Sequence, residues 1–222
     1  MLSSWFGFKP DEPIEILCLG AHCDDVEIGC GGTLMTLAQT HPDSSVHVRV
    51  LSSTDERKQE SERALGKLLA SFARVDVEFR AFPNSRFPSH LDEIKDYCET
   101  LKSLEPDLIF THYGDDHHQD HRTISALTRN TFRDHLILEY EILKYDGDLG
   151  NPGVFVPLEA AILDRKNTVL MECFPSQSSK HWFAPETFAG LARVRGVQCA
   201  SPTSYAEAFY APKMVISPPG AR

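Results

Sequence analysis

"IEILCLGAHCDDVEIGCGG", Ile14 to Gly32, is the stretch from which the rest of the chain can be read. Its first half is a nearly continuous apolar run between Pro13 and Gly20. Such a run suits a strand buried on both faces of a parallel sheet. Its second half crowds His22, Cys23, Asp24, Asp25 and Glu27 at the mouth of that strand. Adjacent carboxylates repel unless something positive sits between them. Gly29, Gly31 and Gly32 follow. They do not match the G-x-G-x-x-G pattern, and acids beside a pyrophosphate would be repulsive, so a nucleotide-binding reading is set aside. The glycines predict a tight turn with close backbone approach. Glu27 is expected to anchor that turn by accepting backbone N–H bonds.

Working outward, further strands are expected at 46–52, 75–82, 107–112 and 136–143. Helical patterns fall between them at 31–41, 55–72, 90–105 and from 120 to 132. Strands alternating with helices of this length imply an α/β, Rossmann-like doubly wound, mainly parallel sheet of order 3-2-1-4-5. After Tyr145 the rhythm changes to a Gly- and Pro-rich loop holding a short strand. Helices at 162–174 and 185–196 follow, with a last strand at "SYAEAFY". The expectation is a single domain over 1–222, with a core at about 14–145 and a C-terminal elaboration at about 146–215. The tail "SPPGAR" (217–222) is expected to fray.

The chain has 222 residues and a formal net charge of −10. That balance argues against a nucleic-acid partner and against docking on an anionic membrane. No apolar run reaches the ~18–20 residues that span a bilayer. The opening "MLSSWFGFKPDEP" lacks the basic and long apolar regions of a secretory signal. Six cysteines without CxxC spacing read as reduced thiols of a cytoplasmic protein.

A second polar cluster, "THYGDDHHQDHR", follows the fourth strand and holds Asp116, His118, Asp120 and His121. In the expected strand order the first and fourth strands are neighbours. Their loops diverge at the switch point where open α/β sheets bind ligands. Histidine, carboxylate and histidine form a common set for a catalytic Zn²⁺, with a fourth position left for water. The repulsion between Asp24 and Asp25 is relieved if one binds the cation and the other holds the water. Singly, His22 reads as a loop histidine, either aspartate as a helix N-cap, and His117, His118 and His121 as a solvated loop. Together those readings need several coincidences.

"AHCDDVEIGCGG" (21–32) resembles the A-H-P-D-D-x-E-x-G-x-G-G motif of the PIG-L/LmbE family of zinc-dependent de-N-acetylases, and "DHHQDH" (116–121) resembles its D-x-H-x-D-H motif. "RKQESERALG" (57–66) and "RVRGVQCASPTSYAEAF" (193–209) are similar to further family segments. The resemblance implies one Zn²⁺, or Fe²⁺, held by His22, Asp25 and His121. It implies Asp24 as general base, and His118 as the group that stabilises the oxyanion or protonates the leaving amine, oriented by Asp120. Cys23 stands where the family has proline; it is expected to point away, since its neighbours must face the metal.

The resemblance also implies an N-acetylglucosamine-type substrate and a homo-oligomer. A soluble conjugate, such as a nucleotide sugar or natural-product intermediate, fits the acidic chain better than a lipid-linked one. Tyr145, Asp146, Asp148, His181 and Trp182 could stack on a sugar or bind its hydroxyls; turn or oligomer contacts are the plainer alternative. The rival functions are an amidase acting on a thiol or other sugar conjugate and a non-catalytic sugar-binding module.

Overall fold

The computed structural model describes residues 7–9 and 12–215. The tail at 217–222 lies outside them. Seven strands form one sheet: β1 (Glu15–His22), β2 (Ser45–Ser52), β3 (Arg74–Phe79), β4 (Leu108–His112), β5 (Leu136–Tyr140), β6 (Val154–Leu158) and β7 (Tyr205–Tyr210). The order is β3-β2-β1-β4-β5-β7-β6. The first five strands are parallel, with Ile16 opposite Val46 on one side and Leu108 on the other. β7 runs antiparallel to both β5 and β6.

The sheet is therefore mixed, not mainly parallel, and the expected order covers only five of its strands. Apolar patterning identifies a strand but carries no direction. The reversal of β7 is set by how the chain returns through the two last helices, which strand periodicity does not encode.

Among the described residues six α-helices cover the sheet: α1 (Asp25–Thr40), α2 (Asp55–Leu68), α3 (Leu91–Thr100), α4 (Gln119–Thr131), α5 (Ala160–Cys173) and α6 (Pro185–Gln198). Side chains alternate across β1, so it feeds two cores. Ile16 and Cys18 join the core under α1, α2 and α5; Leu17 and Leu19 join the one under α3 and α4. With helices on both faces, the apolar run of β1 is buried throughout.

The expected glycine turn is absent. Gly29, Gly31 and Gly32 lie inside α1, which starts at Asp25. The close approach is present: a Cβ on Gly29 would come within 2.5 Å of Tyr140 Cγ, and one on Gly32 within 2.7 Å of Leu158 Cδ1. These glycines let a helix lie close against β5 and β6. Glu27 is also inside α1; its carboxylate accepts from Ser61 Oγ at 2.5 Å on α2 and does not anchor a turn.

Candidate metal and catalytic site

The C-terminal ends of β1 and β4 lie side by side, and the two polar clusters meet there. His22 ends β1, and Asp24 and Asp25 begin the step into α1. Asp24 occupies the N-cap position with φ 111°, a left-handed conformation unusual for a residue other than glycine. Its side chain makes no cap bond, so the capping reading of this residue does not hold. Asp25 Oδ2 instead accepts from His22 N–H at 2.6 Å.

His22, Asp25 and His121 bring ligand atoms within 4.8 Å of one another. His22 Nδ1 is 3.2 Å from His121 Nε2, which is 3.6 Å from Asp25 Oδ1. Asp25 Oδ2 lies 3.5 Å from His22 Nδ1. Tetrahedral ligands bound at about 2.0–2.1 Å to one ion stand roughly 3.3 Å apart, so these separations fit.

The tautomers fit as well. The far nitrogen of each ring faces a carboxylate: His121 Nδ1 is 2.9 Å from Asp116 Oδ2, and His22 Nε2 is 3.2 Å from Asp120 Oδ2. With a proton held there, His121 Nε2 carries a lone pair, and His22 Nδ1 offers one once its own proton is displaced; both nitrogens lie beside the Asp25 carboxylate. Three acceptors converging on one point need a positive charge between them.

The pKa shifts carry the same message. Burial disfavours charge on His22, yet its bond to Asp120 and the charge of Asp25 push its pKa up to about 10. Burial and neighbouring His112 pull His121 down to about 4. Burial opposes charge on Asp25, but His121, His112 and His22 hold it well below the usual carboxylate range.

Two other clusters overlap this one: His22, His118 and Asp120; and His112, Asp116 and His121. Their groups are already committed. Asp120 accepts from Ser85 N at 2.6 Å and Phe87 N at 3.1 Å. His112 Nε2 accepts from Ala21 N at 2.9 Å, and Asp116 serves His121.

Asp24 sits beside the ligand cluster, 6% exposed. Burial raises its pKa to about 6; Arg57, with Nη2 at 2.8 Å from Asp24 Oδ2, works against that, and Asp25 adds to it. Arg57 also donates to the Cys23 carbonyl, pinning the strained step from both sides. His118 is the N-cap of α4, and its Nδ1 accepts from Asp120 N at 3.2 Å. The ring proton is therefore on Nε2. Burial and the charge of His22 lower its pKa, keeping it neutral. The Asp120 carboxylate bonds His22 and the 85–87 turn; among the described residues it makes no hydrogen bond to the His118 ring.

Cys23 Sγ faces Ser52 O at 3.9 Å, and burial pushes its thiol pKa upward. Among the described residues, no group able to hold a cation includes it. All six cysteines are free.

The loop residues divide. Asp148 accepts from His117 N and Lys144 Nζ, both at 2.7 Å, and is spent on bracing its loop. Tyr145 is 69% exposed and stacks on His181 with ring centroids 5.0 Å apart; Trp182 meets Tyr145 edge-on. Asp146 lies 3.7 Å from Lys144 Nζ.

Three residues escaped the sequence reading. His112 is fully buried at the end of β4, stacks on His121 at 3.9 Å and lies 3.2 Å from Asp25 Oδ2. Lys144 Nζ lies 3.0 Å from Asp116 Oδ1, behind His121. Arg57 holds Asp24. Two of them left a signal: His112 closes a strand expected to neighbour the first, and Arg57 opens the segment at 57–66 that resembles the family.

A relative in Escherichia coli K12, "Uncharacterized deacetylase YaiS", is 31% identical over 124 residues. That match covers 49% of this chain and 63% of the relative, so the chain spans under two thirds of that protein's length. The 4-carboxy-2-hydroxymuconate hydratase GalB from Pseudomonas putida KT2440 has the same fold: TM-score 0.75, 18% identity, over 94% of this chain and all of the other. The N,N′-diacetylchitobiose deacetylase from Pyrococcus horikoshii aligns with TM-score 0.64 and 18% identity, over 93% and 88% of the two chains. No helix among the described residues is long and apolar enough to cross a membrane. Residues 17–132, which carry both polar clusters, match the model of the family described as "PIG-L: GlcNAc-PI de-N-acetylase", and the chain belongs to that family.

Proposed function

We propose that this protein is a metal-dependent hydrolase that removes the N-acetyl group from an N-acetylglucosamine-type sugar or conjugate. The observation that carries the reading is the convergence of His22 Nδ1, Asp25 and His121 Nε2, with Asp24 beside them. Family membership supports the chemistry, as does the fold shared with the chitobiose deacetylase. The hydratase of the same fold shows that architecture alone does not choose the reaction, so the site must.

Zn²⁺ suits a two-histidine, one-carboxylate set; Fe²⁺ is the alternative. A cation held by His22, Asp25 and His121 would polarise the amide carbonyl and make a water more acidic. Asp24 accepts a proton from the attacking water as its oxygen bonds the acetyl carbon. A carboxylate with a pKa near 6 is ionised at neutral pH yet still basic enough to serve. His118 Nε2–H donates to the carbonyl oxygen as negative charge gathers there. The proton on Asp24 then passes to the departing nitrogen, and acetate and a free amine leave. Asp116 and Asp120 orient the two ligand imidazoles, and Arg57 orients Asp24. Tyr145, Asp146, His181 and Trp182 form the wall available to the sugar or its aglycone; Asp148 braces that wall from behind.

The test is acetate release from a panel of acetamido sugars by zinc-loaded protein. The zinc-loaded protein is expected to hold about one zinc per chain and release acetate. Asp24→Asn should keep the metal and lose at least ~10²-fold in turnover. Release of a larger acid would favour an amidase of another class. Metal binding without any hydrolysis would favour a sugar-binding module.

A further inference from the structure

The ending "YAEAF" and the glycines of α1 take no part in the chemistry above, yet they meet in the core. Glu207, on β7, points its carboxylate into the side of α1. Oε1 accepts from Gly32 N at 2.9 Å and Oε2 from Thr33 N at 2.6 Å. In a regular helix those amides donate to Ile28 O and Gly29 O. Ile28 O here accepts from Lys166 Nζ at 2.5 Å, and the same ammonium lies 2.6 Å from Glu207 Oε1. Both side chains are buried, with 5% and 7% exposure.

The approach requires glycine. A Cβ on Gly32 would stand 2.9 Å from Glu207 Oε1, and one on Gly31 would touch Leu68 at 3.3 Å and the Lys166 stem at 3.9 Å. The signs of charge match the backbone. A carbonyl end of a helical segment favours a cation and an amide end favours an anion. Lys166 meets the carbonyl of Ile28 and Glu207 meets the amides of Gly32 and Thr33. α1 runs unbroken from Asp25 to Thr40, but between Ile28 and Thr33 its backbone also meets these two side-chain charges, just after the leading turn that bears Asp25 and is closed against Asp24 by Ile28 N→Asp24 O at 2.8 Å.

We infer that the buried Lys166–Glu207 pair is a positioning device: it forms a joint in α1 that sets the leading turn, and so Asp24 and Asp25, against the end of β1. Neither residue touches substrate; both act through the backbone of α1. The inference rests on the proposed metal reading, because its readout is the cation that Asp25 helps to hold.

The experiment measures zinc affinity by chelator competition, and thermal stability, for wild type, Glu207→Gln and Lys166→Gln. Ile94→Ala, a core change on the buried side of α3 on the other face of the sheet, serves as a control for stability loss alone. Glu207→Gln keeps the shape but removes the charge that holds Lys166; Lys166→Gln can still reach Ile28 O without charge. Each glutamine variant is expected to weaken zinc binding about tenfold at a temperature where it is fully folded, the scale seen when outer partners of a metal site are lost. Ile94→Ala should lose stability and keep zinc affinity within about twofold. Should one glutamine variant not fold, the other carries the comparison, and Glu207→Asp, too short to reach both amides, replaces the lost arm. The inference is overturned if folded variants bind zinc like wild type, or if the control loses affinity equally. Wild type that binds no zinc would overturn the metal reading and this inference together, which separates the two failures.

Discussion

His22 is the side chain where the electrostatics of the site are most exposed to measurement. Burial alone would make it a weak base, but Asp120 and Asp25 outweigh burial and lift it to about 10. The protein groups alone therefore favour a proton between His22 Nδ1 and His121 Nε2, the point on which the proposed ligands converge. A cation at that point needs the Nδ1 lone pair, so binding displaces the proton. The sign follows: below pH 10 each unit of rising pH removes competition, and zinc affinity should climb close to tenfold per unit between about pH 6 and 8. Chelator competition across that range checks it, and a flat profile would mean His22 is not charged before binding. The residues that bear charge in this cluster were legible from spacing, since His22, Asp24, Asp25 and His121 all sit in two short polar runs. Their partners were less so. Asp120 reads as a companion of His118, its neighbour in sequence, but its carboxylate crosses to His22, 98 positions away in the chain. Lys144 gave no sign, because an isolated cation in a loop looks like any solvated one; Arg57 opens a segment that resembles the family, but the resemblance did not say which carboxylate it holds.

The helix α1 shows how an element can contradict its own composition. Three glycines in four positions read as a turn, and each weakens an isolated helix by about 1 kcal/mol relative to alanine. The structure keeps the helix because Tyr140, Leu158 and Glu207 crowd against it where any Cβ would stand. Local sequence reported the price of the glycines and not their packing, which comes from β5, β6 and β7, more than a hundred residues away. Glycine to alanine therefore has opposite outcomes in two helices. At Gly66, in α2, a new Cβ meets nothing within 4 Å, so alanine should stabilise the fold by up to ~1 kcal/mol. At Gly29 it would meet the ring of Tyr140, which is fully buried and cannot step aside. Overpacking costs typically 1–3 kcal/mol, more than helix propensity returns, so Gly29→Ala should destabilise by about 1–2 kcal/mol. Denaturant titration of both variants decides it; a Gly29→Ala protein as stable as wild type would show that α1 does not depend on this close contact.

Seen whole, the molecule is a five-stranded parallel core whose order the sequence made readable and an antiparallel edge whose two strands it marked but whose order and direction it did not. The core was legible because strand and helix periods alternate, and the switch point between β1 and β4 follows from that order. The edge was not, because the direction of β7 depends on the path of the chain through α5 and α6. That edge carries Glu207, and the segments leading to it carry the aromatic wall. Two lines of contact join the wall to the site. Lys144, next to Tyr145, reaches Asp116 behind His121. Trp182 packs on Phe183, Phe183 on Phe174, and Arg57, the partner of Asp24, lies over the Phe174 ring at 5.2 Å. Tyr145 and His181 form a stacked, exposed pair tied to the site through these contacts; on the proposed function, this pair is where the aglycone of a conjugate would lie. Loss of one such stack costs about 0.5–1.5 kcal/mol, or roughly three- to tenfold in binding. Contacts with an unreactive part of the substrate are made equally in ground and transition states, so their loss raises KM and spares kcat. Tyr145→Ala and Trp182→Ala should therefore raise KM three- to tenfold, on that same estimate, for an acetamido sugar with a bulky planar aglycone. For N-acetylglucosamine itself kcat/KM should stay within about twofold. Equal losses on both substrates would move these aromatics from aglycone binding to support of the site, and unchanged KM on both would remove them from substrate binding altogether.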